Sequence, residues 1–102
     1  MDYRVIISNP ALRDLGTIAL FIAQGTHGSP ATAEKIGEEL IALSESLASL
    51  PYRGTAVKRR PGLRKLSHRY YLIFYQVTEA TRLVEIVRIW DGRQNPSGLT
   101  LP

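Results

Sequence analysis

The sequence predicts an α+β domain in the order β-α-α-β-β-β, with a helical hairpin on one side of a small, mostly antiparallel sheet. Three observations carry this reading. An alternating apolar pattern opens the chain, two apolar stripes at helical spacing follow, and three β patterns fill the last forty residues, from Leu63 onward. A chain of 102 residues with 44% apolar content makes one domain, residues 1–102, with no room for a second.

Tyr3 to Ser8 alternates Tyr3, Val5 and Ile7 with Arg4, Ile6 and Ser8, as a strand with one more apolar face does. Ser8-Asn9-Pro10 then supplies a capping oxygen and a proline at a position where its missing N–H costs nothing. Leu12, Leu15, Ile18, Ala19 and Ile22 recur at three- and four-residue steps and give one apolar stripe, which Gly25 to Gly28 ends. Ser29-Pro30 repeats the start signal, and Ala33, Ile36, Leu40, Leu43, Leu47 and Leu50 mark a second, longer helix closed by Pro51. Its outward residues, Glu34, Lys35, Glu38, Glu39 and Glu45, read as a solvated face. The short connection makes the two helices an antiparallel hairpin.

Tyr52 to Gly62 reads as a loop from its Arg53-Gly54 and Pro61-Gly62 breakers. Leu63 to His68 is polar enough for an outer strand. Tyr70 to Val77 is nearly all apolar or aromatic, as a strand covered on both faces is, and Tyr75 is its expected core filler. A tight turn over Thr78–Thr81 leads to the last strand, Leu83 to Trp90, where Trp90 shares a face with Arg88, Ile86 and Val84.

Charge is segregated along the chain. Between Ser46 and Thr78 stand seven basic residues, Arg53, Lys58, Arg59, Arg60, Arg64, Lys65 and Arg69, and no acid. The remainder holds six Lys/Arg against nine Asp/Glu, so the net +4 is a +7 block against −3 elsewhere. Clustered cations repel one another, so the block is expected to converge on one surface for a negatively charged partner.

The absence of cysteine excludes a disulfide framework and thiolate metal sites. Two histidines, His27 and His68, with no thiol do not meet the usual ligand count of a metal site, and no metal or cofactor is expected. His27 reads as a loop residue and His68 as a surface or turn residue. Asp91 is expected to pair with Arg93 or Arg64. No run reaches the roughly 18 apolar residues of a membrane span, and the first residues lack a signal-peptide pattern, so a cytoplasmic protein without membrane contact is expected.

Leu63-Arg64-Lys65-Leu66, Tyr71-Leu72-Ile73-Phe74-Tyr75-Gln76-Val77, and Val84-Glu85-Ile86-Val87-Arg88-Ile89-Trp90 with Gly92-Arg93 resemble the RelE/ParE superfamily of bacterial type II toxin–antitoxin toxins, often labelled plasmid stabilization proteins. The likeness takes in the first strand and the hairpin, and so nearly the whole chain. It implies a growth-arresting toxin neutralised by a cognate antitoxin. RelE-like members cut mRNA at the ribosomal A site; ParE-like members inhibit DNA gyrase. Lys65 and Arg93 match the lysine and arginine with which RelE-like nucleases stabilise charge at the scissile phosphate. Leu72 stands in place of their strand arginine, Leu99 near the place of their C-terminal tyrosine, and Asp91 where other nuclease members carry histidine. These departures, the long hairpin from Ser8 to Leu50, and Arg88 with Arg93 resemble the ParE side.

The resemblance therefore implies a ParE-like gyrase inhibitor, with a RelE-like ribosome-dependent mRNA endonuclease and a non-toxic antitoxin-binding regulator as alternatives. It makes Lys65 and Arg93 catalytic only in the RelE-like case. The expected target- or antitoxin-binding set is Lys58, Arg59, Arg60, Arg64, Lys65, Arg69, Arg88 and Arg93. The expected partner is an acidic, partly disordered antitoxin that folds on binding into a hetero-oligomer, covering the basic patch or adding a strand to the sheet edge.

Overall fold

The computed structural model describes residues 2–25 and 28–101; the expectation for His27 lies outside them. Strand β1 (Arg4–Ile7) leads into helix α1 (Asn9–Gln24), and α2 (Pro30–Glu45) follows. Both capping signals act as the sequence suggests: the Ser8 hydroxyl accepts from the Ala11 N–H at 3.3 Å, and the Ser29 hydroxyl from that of Thr32 at 3.1 Å. The second helix is shorter than its stripe. It ends at Glu45, and the next residues, Ser46–Ala48, tighten into a 3-10 turn that still delivers Leu47 fully buried into the core.

Four further strands follow: β2 (Thr55–Ala56), β3 (Leu63–His68), β4 (Tyr71–Thr78) and β5 (Leu83–Asp91). They form one sheet in the order β1-β5-β4-β3-β2, in which only the β1–β5 pair is parallel. The segment read as a loop thus contains a short strand, and β3 is not the outermost. Thr55 and Ala56 pair with Lys65 and Arg64 because Gly54 brings the chain against β3 more closely than any side chain allows. A Cβ on Gly54 would stand 2.5 Å from the Lys65 carbonyl and 2.8 Å from the Tyr75 hydroxyl.

The two sheet faces carry separate cores. The helices cover Tyr71, Ile73, Tyr75, Val84, Ile86 and Ile89. Each such side chain, removed fully from water, contributes about 1.5–3 kcal/mol. Tyr75 fills this core as expected, and its hydroxyl accepts the buried Gly54 N–H at 2.9 Å. On the opposite face Leu63, Phe74 and Val87 pack with Trp90, and the C-terminal segment closes over them through Leu99 and Leu101.

An irregularity in the β4–β5 pairing at Phe74/Tyr75 corrects the expected facing of β5. Tyr75 pairs with Ile86 while Phe74 pairs with Arg88, so Val87 is an extra residue and the alternation changes phase there. Val84 and Ile86 therefore belong to the helix-side core, whereas Trp90 packs on the other face.

Candidate functional site

The parallel β1 strand pairs β5 only as far as Ile86, which leaves the end of β5 to be completed by α1. The Ser8 N–H bonds the Ile86 carbonyl at 3.0 Å, and the Ser8 hydroxyl bonds that of Val87 at 3.2 Å. Six residues further along the chain, on α1, Asp14 accepts from Arg88 Nε at 2.7 Å, from Arg88 Nη2 at 2.9 Å and from the Ile89 N–H at 2.9 Å. This bidentate pair raises the Arg88 pKa further, chiefly through the hydrogen bonds to Asp14. The remaining Arg88 Nη1 bonds the Thr100 carbonyl at 2.9 Å and so fastens the C-terminal segment. Asp14 is a residue that sequence reasoning missed; its signal is that it is the sole carboxylate of α1.

Arg93 lies just beyond β5. Its Nη2 and Nε reach the nearly buried Asp91 carboxylate at 2.7 and 2.9 Å, and its guanidinium carbon stands 3.9 Å from the Tyr70 ring centroid. Of the two partners considered for Asp91, Arg93 is the one found. Hydrogen bonding by Arg93 holds the Asp91 carboxyl below its usual range despite burial, and pushes the Arg93 pKa up. A small cleft of about 50 Å³ lies beside this pair, with Asp14, Thr17, Phe21, Tyr71 and Gln94 among its lining residues. It is far smaller than the roughly 300–1,000 Å³ of a pocket for a drug-sized ligand.

The seven cations of the central block do not form one surface. Strand alternation separates neighbours: Arg64 lies opposite Tyr75, and Lys65 opposite Phe74 of the other core. Arg64 is engaged with the Gly54 carbonyl at 2.8 Å, with that of Tyr52 at 3.2 Å, and with the Tyr52 ring at 5.3 Å. Arg69 bonds Glu39 at 3.1 Å, and His68 reaches the same carboxylate at 2.8 Å. Glu39 is thus no solvated surface acid; bonding by His68 first, and then by Arg69, lowers its pKa. Arg53 donates to the Ser46 hydroxyl at 3.2 Å. Lys58, Arg59, Arg60 and Lys65 are exposed and have no side-chain hydrogen bond or ion pair among the described residues.

A second polar cluster ties the chain ends of the sheet together. Glu79, in the β4–β5 turn, accepts from the Tyr3 hydroxyl at 2.7 Å and from that of Tyr52. The hydrogen bond to Glu79 pushes the Tyr52 pKa up to about 12.

An apolar concavity lies between the helices, a trough of about 650 Å³ lined by Leu15, Gly16, Ala19, Leu20, Ala33, Gly37 and Ile41, among others. Leu20 and Ile41 remain exposed beside it, and an added Cβ at Gly16 or Gly37 would meet nothing within 4 Å. Among the described residues, no group of three or more acids and histidines is placed to hold a metal ion, and no helix is long and apolar enough to cross a membrane.

Residues 5–96 match the family model of the ParE toxin of the type II toxin–antitoxin system parDE. No curated protein matches the chain. Among solved structures, the RelBE2 toxin–antitoxin complex from Mycobacterium tuberculosis is similar at a TM-score of 0.68 and 20% identity, over 87% of this chain and 96% of that one. The chromosomal ParDE system of P. aeruginosa gives a TM-score of 0.70 at 19% identity, over 85% and 92%. The E. coli toxin RelE in a mutant free form gives 0.55 at 17%, over 87% and 82%.

Proposed function

The chain belongs to the ParE toxin family of type II toxin–antitoxin systems, and from that premise we propose that it arrests growth by inhibiting DNA gyrase through surface contacts rather than by cutting RNA. The observation that carries this reading is the placement of the two cations that ribonuclease chemistry would need. Lys65 projects from the sheet face that bears Phe74, while Arg93 is bonded to Asp91 next to Tyr71 on the helix side. Two donors on opposite faces cannot converge on one scissile phosphate, and the charge of Arg93 is already matched by a nearly buried carboxylate. A toxin that acts by occupying a surface needs no such convergence.

Purified protein should therefore inhibit gyrase supercoiling and leave ribosome-bound mRNA intact. The opposite pair of results would instead favour the ribonuclease reading, for which the unpartnered Lys65 is the one supporting feature. Lys65→Ala separates the two, because its removal disturbs no internal bond: growth arrest persists in a gyrase inhibitor and disappears in a nuclease that uses Lys65.

The neutralising partner is a cognate antitoxin, as in the RelBE2 and ParDE assemblies. Its folding segment is proposed to lie in the trough between α1 and α2, whose exposed Leu20 and Ile41 offer apolar area. The flanking Glu34 and Glu38 place any acidic residues of that segment away from the trough. Gly16→Leu and Gly37→Leu should keep the fold, since an added Cβ at either position meets nothing within 4 Å, and should leave the toxin active but no longer rescued by its antitoxin. Full rescue of both variants would move the antitoxin to another surface.

A further inference from the structure

Among the described residues, three other than glycine hold a left-handed backbone, and all three are arginines: Arg59 at φ 64°, Arg69 at φ 57° and Arg82 at φ 48°. L side chains rarely adopt this conformation, and glycine would relieve it. Two of the three have an internal reason to be arginine. Arg69 pairs with Glu39, and the Arg82 guanidinium lies 5.6 Å from the Tyr3 ring centroid. Arg59 has no side-chain hydrogen bond, ion pair or ring contact among the described residues.

Arg59 sits at the tip of the β2–β3 hairpin between Lys58 and Arg60, which are also exposed and unpartnered. The tip is fastened by its backbone. Val57 N–H bonds the Leu63 carbonyl at 2.9 Å, Arg60 N–H bonds that of Val57 at 3.3 Å, and Leu63 N–H bonds that of Arg60 at 3.0 Å. Three mutually repelling charges are thus held together on a defined turn, one of them in a backbone region that its side chain disfavours. Lys65 adds a fourth cation on the same hairpin, about 7 Å along the strand from Leu63.

We propose that this hairpin tip binds the phosphate backbone of duplex DNA, with Lys58, Arg59 and Arg60 as the principal contacts and Lys65 as an auxiliary one. Phosphodiesters are held by cations alone, without regard to sequence. The alternatives require groups that the tip lacks. A disordered acidic peptide offsets its ordering cost by burying apolar surface, and none of the exposed large apolar residues lies on the tip. Single-stranded RNA is gripped by stacking on free aromatic rings; Tyr52, which lines a concavity with Arg60, already has the Arg64 guanidinium 5.3 Å from its ring centroid and its hydroxyl bonded to Glu79. The contact requires only naked duplex, so it stands or falls separately from gyrase inhibition.

The test is fluorescence anisotropy of the whole protein against a labelled 20-base-pair duplex of arbitrary sequence, titrated between about 50 and 200 mM salt. The expected log–log salt slope is about −3 to −4, close to 0.9 per phosphate neutralised. Arg59→Gly should make the slope shallower by about one while the melting temperature is unchanged or a few degrees higher, so that weaker binding cannot be attributed to unfolding. The triple variant Lys58→Ser, Arg59→Gly, Arg60→Ser should retain a slope of about −1, from Lys65. A slope that these substitutions leave unchanged overturns the proposal, as does tighter binding of single-stranded RNA or polyglutamate than of duplex DNA. A clear drop in melting temperature for Arg59→Gly also overturns it, because it would give Arg59 an internal partner.

Discussion

Replacing Asp14 by alanine tests how the fold is closed at the end of β5. The substitution removes three hydrogen bonds at once, two from Arg88 and one from the Ile89 N–H. Breaking a buried ion pair by deleting one partner costs about 3–5 kcal/mol, because the surviving charge is left desolvated. Here 19% of the Arg88 side chain and 15% of that of Asp14 stay accessible, and Arg88 keeps its bond to the Thr100 carbonyl. Partial rehydration therefore places the loss at the lower end, about 3 kcal/mol. For a domain of this size each kcal/mol moves the melting temperature by about 4–8 °C, so Asp14→Ala should melt roughly 12–24 °C below the parent. Urea denaturation followed by circular dichroism measures the loss, and a double-mutant cycle with Arg88→Met isolates the pair. Arg13→Ala, one residue away on the exposed side of α1, should change stability by less than about 0.5 kcal/mol. A loss below about 1 kcal/mol for Asp14→Ala, or a coupling near zero, would show that the β5 edge does not depend on this carboxylate.

Three further outcomes follow from the same geometry. Spectrophotometric titration of the tyrosines should show Tyr52 ionising at about 12, and Glu79→Gln should return it toward the ordinary phenolic range; no high-pH component in the parent would dismiss the Tyr52–Glu79 bond. Asp91, Glu39 and Glu79 all have depressed folded pKa values, caused first by Arg93, His68 and Tyr52 respectively. Their stabilisation is therefore fully present above the unfolded carboxyl pKa of about 4 and is lost as pH falls through the lower folded values. Denaturation midpoints should fall steeply below about pH 4, less so in Asp91→Asn, and a midpoint independent of pH there would contradict the assignment. Gly54→Ala should destabilise by about 2 kcal/mol or more through collision with the Lys65 carbonyl, whereas Tyr75→Phe, which only orphans the Gly54 N–H, should cost about 1–2 kcal/mol; equal stability of Gly54→Ala and the parent would show that β2 need not lie so close to β3.

What the sequence made legible was local. Ser8 and Ser29 cap their helices because a hydroxyl, a proline and an apolar stripe act within a few residues of one another. The order of elements and the burial of Tyr75 follow from the same short-range patterns. The phase change in β5 was hidden because a bulge inserts Val87 without altering composition: Val84 through Trp90 is apolar enough to read as uninterrupted alternation. Strand β2 was hidden because two residues carry no period, and it exists only where Gly54 permits a close approach to β3.

Charge was the least legible property, and the reason is geometric. A count along the chain assigns all seven cations of the central block to one surface, yet adjacent strand residues point to opposite faces, so Arg64 and Lys65 are separated by the sheet itself. A long-range acid then claims another, Glu39 meeting Arg69 across 30 positions, and outside the block Asp14 meets Arg88 across 74. Arg64 is held by carbonyl oxygens and Arg53 by a hydroxyl, which leaves their charge but restricts their direction. Formal charge therefore overstates what a partner can reach. The cations of the block still available are those on a turn, where neither pleat nor helix places an acid against them, together with Lys65. The Lys58–Arg60 tip consequently matters more for recognition than its share of the +7 block suggests, and Arg59, which combines an unfavourable backbone with no side-chain bond among the described residues, is the residue whose identity is hardest to explain by folding alone.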